Sequence, residues 1–94
     1  MKIEASSALP GEDKASFFSE TVRTYQERLY WHIRKMVLAH DDANDVLQNT
    51  FLKAWKGLDN FRGDSQISTW LYRIATNETL SFISKKKMRM ANSL

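Results

Sequence analysis

Apolar residues recur along this chain at steps of three and four, and polar runs break the period at two places. The first periodic stretch carries Phe18, Val22, Tyr25, Leu29, Ile33 and Met36 on one stripe. That spacing is one face of an amphipathic helix, because the helical turn stacks those positions above one another. Asp13 stands where an N-cap is needed, and the pattern predicts a helix that ends near Ala39–His40. The run "DDANDV" then restarts the period. Asp41 or Asp42 is placed to cap a second helix, and acidic groups suit the positive end of its dipole. Ala43, Val46, Leu47, Thr50, Phe51, Ala54, Trp55 and Leu58 form a broad apolar face, with Gly57 near its end and a loop over Asn60–Gly63. A third helix is predicted from about Ser65 or Gln66 to the lysines, with Ile67, Leu71, Ile74, Ala75, Phe82 and Ile83 as its core stripe. Nothing alternates as a strand would. The expected fold is all-α, a compact bundle of three long helices with room for a short extra turn. Residues 1–12 are small and polar around Pro10 and Gly11, so a flexible N-terminal arm is expected before one helical domain over residues 13–94.

Composition adds mostly exclusions. A chain of 94 residues can build one small core. There is no cysteine, which excludes a disulfide framework and a thiolate metal site. His32 and His40 lie too far apart for a paired metal motif, two turns along what reads as the first helix. "DDANDVLQ" superficially resembles a calcium loop but lacks the sharp-turn glycine and the closing glutamate, so it reads better as a helix cap. No glycine-rich phosphate loop and no nucleophile–base pair stands out, so no enzyme activity, cofactor or metal is expected. No apolar run approaches the length of a membrane span and no signal-peptide pattern opens the chain, so a cytoplasmic protein without membrane insertion is expected.

Charge changes the picture through its distribution. Residues 1–40 carry six cations against five anions, residues 41–60 are net −2, and residues 61–94 are net +4. An acidic middle beside a basic tail points to two different partners, one of them a polyanion, or else to faces that are merely solvated.

Two segments carry candidate chemistry. In "DVLQNTFLKAW", Asp45, Gln48, Asn49 and Leu52 share a helix face, with Phe51 and Trp55 as an aromatic pair at its edge. Amides and a carboxylate beside rings can anchor a partner helix that carries arginines, or can form an ordinary solvent face beside the core. In "FRGDSQISTWLYRIATN", Gln66, Thr69, Trp70, Arg73 and Asn77 form a stripe distinct from the core stripe. Trp70 and Arg73 can stack on a base, Asn77 can bond a base edge and Thr69 can bind phosphate. The Phe61–Ser65 loop could wall a pocket for a base drawn out of its stack. Equally, Trp70 could be partly core and Arg73 a surface cation. From residue types alone, a helical DNA-binding module or a plain protein-interaction module fits as well.

The run from Leu29 to about Arg89 resembles the second conserved region of bacterial RNA polymerase sigma factors, above all the short extracytoplasmic-function group. The resemblance lies in "DVLQNTFLKAW", then "LDNFRGDSQISTWLYRIATN", then a basic run, in the family's order and spacing. It implies a region 2 helical fold that docks on RNA polymerase core and recognises and melts the minus-ten promoter element. The implied polymerase contact is with the clamp helices of the largest subunit, through Asp45, Gln48, Asn49, Phe51, Leu52 and Trp55. Capture of the non-template single strand, with one base flipped, falls on Phe61, Arg62, Asp64, Ser65, Gln66, Thr69, Trp70, Arg73 and Asn77. The basic tail of Lys85, Lys86, Lys87 and Arg89 would hold phosphates, a salt-sensitive term. An anti-sigma protein is a further implied partner. Three departures stand out. Asn49 replaces the family's usual glutamate. Arg73 and Ile74 stand where housekeeping members have adjacent tryptophans. No part resembles the C-terminal promoter-reading domain of such factors, so a longer parent protein is expected.

Overall fold

The computed structural model of the protein describes residues 12–61 and 66–92. They form α1 (Glu12–Arg34), α2 (His40–Gly57), a short 3-10 helix (Leu58–Asn60) and α3 (Ile67–Asn92). Each long helix packs against the other two. The predicted all-α bundle of three long helices, with a short extra turn, is therefore what the chain forms.

The core sits where the three apolar stripes meet. Leu29 and Ile33 come from α1, Val37 from the turn, Ala43, Val46 and Ala54 from α2, and Ile67, Leu71 and Ala75 from α3. Alanine at three of these positions lets the helix axes approach closely, and larger half-buried side chains such as Tyr25, Phe51 and Phe82 close the rim. Three threonines are also buried. Thr21, Thr50 and Thr79 donate their hydroxyl protons to the carbonyls of Phe17, Val46 and Ala75 at 2.8, 2.8 and 2.7 Å. That internal bond lets a polar side chain fill a core position without an orphaned group. It also explains why Thr21 and Thr79 escape a reading based on apolar residues.

The boundaries correct several expectations. Helix α1 ends at Arg34, not near Ala39–His40. Val37 is buried, although it lies beyond the end of the helix. The chain instead tightens, with the Met36 amide donating to the Ile33 carbonyl at 2.9 Å, and Arg34 Nη1 donating to the Val37 carbonyl at 3.2 Å. Neither Asp41 nor Asp42 is the N-cap of α2. Ala39 occupies that position with no side-chain cap bond, and both aspartates fall in the first turn, where they act on the dipole. His40 accordingly opens α2 and does not close α1. Helix α1 begins at Glu12, so Asp13 lies in its first turn and the helix reaches into the stretch expected to be an arm. Helix α3 starts at Ile67 and runs past the lysines.

Ion pairs join the elements at the surface. Lys53 meets Glu78 at 2.7 Å across α2 and α3, and Lys86 meets Asp42 at 2.9 Å. Lys14 meets Asp59 at 3.2 Å and ties the start of α1 to the 3-10 helix. Pairs this close to solvent contribute about 1 kcal/mol at most, so they set register more than stability.

Candidate functional site

Helix α2 turns Ala43, Val46, Thr50 and Ala54 inward, so Asp45, Gln48, Asn49 and Leu52 project outward together. Leu52 is 59% exposed and is the apolar centre of that face. Phe51 and Trp55 behave differently from Leu52. Phe18 of α1 meets both rings edge-on, with centroids 6.1 and 5.2 Å away. The Lys14 ammonium lies 4.0 Å from the Trp55 ring centre while it pairs with Asp59. Two of the six expected docking residues therefore support the face from beneath as well as bordering it. Lys14 and Phe18 were missed by sequence reasoning. Their signal is the i, i+4 step that places them one turn apart on α1, and nothing local shows that this turn lands on Trp55.

On α3, burial of Ile67, Leu71, Ala75 and Thr79 leaves Thr69, Arg73 and Asn77 exposed along the opposite side, continued by Gln66 just before the helix. Trp70 leaves this line. It is half-buried, its ring tilted at 40° against Phe61 with centroids 4.9 Å apart. Gly57 permits this, since a Cβ there would stand 3.3 Å from the Trp70 ring. Trp70 and Phe61 thus make a wall beside the start of α3. Arg62, Asp64 and Ser65 lie outside the described residues.

Lys85, Lys86, Lys87 and Arg89 are exposed on the far part of α3. From Asn77 to Lys87 is about 15 Å along the helix axis, so the two groups stand well apart on α3. Lys86 donates to Asp42 Oδ2 at 2.9 Å, which holds its ammonium over the start of α2.

Two histidine contacts fasten this framework. His32 Nε2 lies 2.8 Å from Thr76 Oγ1, and its ring meets Tyr72 edge-on at 4.9 Å. Burial, and then the nearby Lys35 charge, hold the His32 imidazole below its usual pKa and favour the neutral ring. This link joins α1 to α3 next to Arg73 and Asn77. His40 bridges α1 and α2, 2.6 Å from the Tyr30 hydroxyl and 3.0 Å from Asn44 Nδ2. Among the described residues, no three His, Asp or Glu side chains gather as a metal site would need. No described helix is long and apolar enough to cross a membrane.

A three-helix bundle with an acidic-amide face on α2 and an aromatic and amide face on α3 defines a class, and the chain belongs to it: residues 21–89 match the Sigma-70 region 2 family. Its relatives are sigma factors of the extracytoplasmic-function group. The chain is 36% identical to the ECF RNA polymerase sigma factor SigG of Mycobacterium tuberculosis over 92% of its own length and 23% of the relative's. It is 39% identical to the ECF RNA polymerase sigma-E factor of Salmonella typhimurium, over 88% of this chain and 42% of that one. With the RNA polymerase sigma-H factor of Pseudomonas aeruginosa it shares 40% identity over 81% of this chain and 39% of the relative. The chain thus spans less than half the length of these relatives. A similar solved structure is an engineered region 2 of sigmaE in complex with GTAAAA, with a TM-score of 0.73 and 34% identity over 79% of this chain and 77% of that one.

Proposed function

We propose that this chain acts as the promoter-opening domain of a transcription initiation factor. It docks on the clamp helices of RNA polymerase through the α2 face and captures the non-template strand of the minus-ten element on α3. The observation that carries this reading is the exposed line Gln66–Thr69–Arg73–Asn77 beside the Phe61–Trp70 wall, in a chain 34% identical to a region 2 solved with a short DNA strand.

The chemistry follows from these side chains. Drawing a base out of duplex costs a few kcal/mol, roughly the unstacking and unpairing energy. The wall offers a flat apolar surface that replaces the lost stacking, and Asn77 offers both a donor and an acceptor to a base edge. Arg73 supplies a planar cation that can stack or pair with phosphate. Arg62, Asp64 and Ser65, by the same resemblance, contribute to capture of the strand. Lys85, Lys87 and Arg89 hold phosphates farther along α3, with Lys86 sharing its charge with Asp42. On α2, Asp45, Gln48 and Asn49 bond to basic and amide groups of the clamp around Leu52. With Asn49 in place of an acid, one charge-assisted bond is missing and Asp45 carries more of the docking. Nothing is bound covalently or turned over. The work takes place in the cytoplasm with RNA polymerase, and an anti-sigma protein that covers either face would block it.

A panel of labelled single-stranded oligonucleotides with minus-ten-like hexamers tests this, with and without a fragment of the polymerase clamp helices. Sequence-selective binding that strengthens with the fragment is expected. Preference for duplex, with no clamp binding, would show instead a DNA-binding module unrelated to polymerase.

A further inference from the structure

Between α1 and α3, outside both faces described above, Arg28, Trp31, His32, Lys35 and Tyr72 line an open hollow of about 500 Å³. Its chemistry has one sign. Arg28 and Lys35 are exposed cations, and no carboxylate lines the hollow. Trp31 is 56% exposed, well above the 37% of Trp55, with one edge contact to Tyr30 at 5.0 Å. A ring that open contributes little to the core. Tyr72 is fixed by contrast, since His32 meets it edge-on and is itself anchored on Thr76. The hollow therefore has a firm aromatic floor and a rim of two cations and a presented indole.

Its position relates it to the α3 line. Tyr72 and Thr76 immediately precede Arg73 and Asn77, so the floor of the hollow and the base-contacting residues sit on adjoining sides of α3. Arg28, Trp31 and Lys35 follow one another at steps of three and four and form a ridge along the end of α1 and into the turn after it.

We infer that this hollow is a second single-strand site, which takes a nucleotide next to those held on α3. The base stacks against Trp31 and Tyr72, and Arg28 and Lys35 hold the flanking phosphates. Rings interleaved with cations suit a single strand because stacking is tolerant of sequence and every nucleotide brings its own phosphate. The identity of the strand rests on the function proposed above, but none of these five residues was needed for it. The chain would then read bases on α3 and grip the adjoining nucleotide without reading it on α1.

The test uses fluorescence anisotropy with the 94-residue chain and three strands. One is the hexamer selected from the panel, and the others carry added thymines on its 5′ or its 3′ side. One extended strand is expected to bind about tenfold tighter than the hexamer. Trp31→Ala should remove that gain and leave hexamer binding unchanged, and Arg28→Glu, also at the surface, should do the same. Lys35→Ala should reduce the slope of log affinity against log salt by about 0.7 for the extended strand alone. Absence of a gain on either side, or a gain that survives both Trp31→Ala and Arg28→Glu, overturns the inference and leaves the α3 reading intact. Loss of clamp-fragment binding in Trp31→Ala, with the extended strand still held, would make the hollow a protein contact and overturn it as well. A hexamer that does not bind at all overturns the function proposed above, and this inference with it.

Discussion

On the function proposed above, single side chains divide the proposed DNA face into reading and holding roles. Asn77 is exposed and can match a base edge with two bonds, so Asn77→Ala should relax base preference about tenfold while overall affinity falls less. Lys86→Ala should lower affinity evenly across sequences and flatten the salt dependence, with a reduced effect because Asp42 already takes up part of its charge. The oligonucleotide panel at several salt concentrations separates the two, and identical behaviour of both variants would end the division. Gly57 acts indirectly through Trp70. A methyl group there would meet the indole at 3.3 Å, so the ring must shift by a few tenths of an ångström. Gly57→Ala should alter tryptophan emission and weaken strand binding at undiminished melting temperature. Unchanged emission and binding would show that the wall tolerates displacement. His32 gives a pH signature. Its pKa is lowered in the fold, so the unfolded chain takes up the proton first as pH falls through the ordinary value of 6.5. Stability is therefore full above that value and declines below it, toward the lower pKa of the folded form. Melting temperature measured across pH 7 to 5 should show the decline, and His32→Gln should reduce it.

The helices carry more than one task each, on different faces. Helix α2 buries small residues on one side and shows Asp45, Gln48, Asn49 and Leu52 on the other. Asp45→Arg inverts the central charge of the outer face without touching the core. It should abolish binding to the clamp-helix fragment at unchanged helix content, checked by pull-down beside circular dichroism. Retained binding would remove the docking assignment. Helix α1 is the least distinctive part of the chain in sequence, yet it supplies Phe18 and Lys14 to the aromatic edge of α2 and His32 to the flank of α3. It is the element through which both faces are held in place. Helix α3 changes character along its length, from buried contacts up to Thr79 to an exposed basic end past Ile83.

At the scale of the whole molecule, one small core supports both faces, so they should be lost together. Leu71 is 1% exposed and sits where all three stripes meet. Leu71→Ala should cost about 2–5 kcal/mol, read by denaturant unfolding. Clamp binding and strand binding should fall along the same transition, as expected for a single cooperative unit. A transition in which one face survives the other would show two independent parts.

The amino-acid sequence by itself determined the helices, their core stripes and the two polar faces. Those depend on local periodicity, and periodicity is a property of neighbours three and four residues apart. The all-α bundle, the Asp45–Leu52 face and the Gln66–Asn77 line were legible for that reason. Tertiary structure decided what depends on contacts between distant residues. It ended α1 at Arg34 in a tightened turn, and it left Ala39 as the unassisted start of α2. It drew Trp70 out of the exposed line onto Phe61 and Gly57, and Trp55 under Lys14 and Phe18. It also brought Trp31 and Tyr72 to line one hollow, although they stand 41 positions apart in the chain. No helical period relates such pairs, because their approach is set by how the three helices pack.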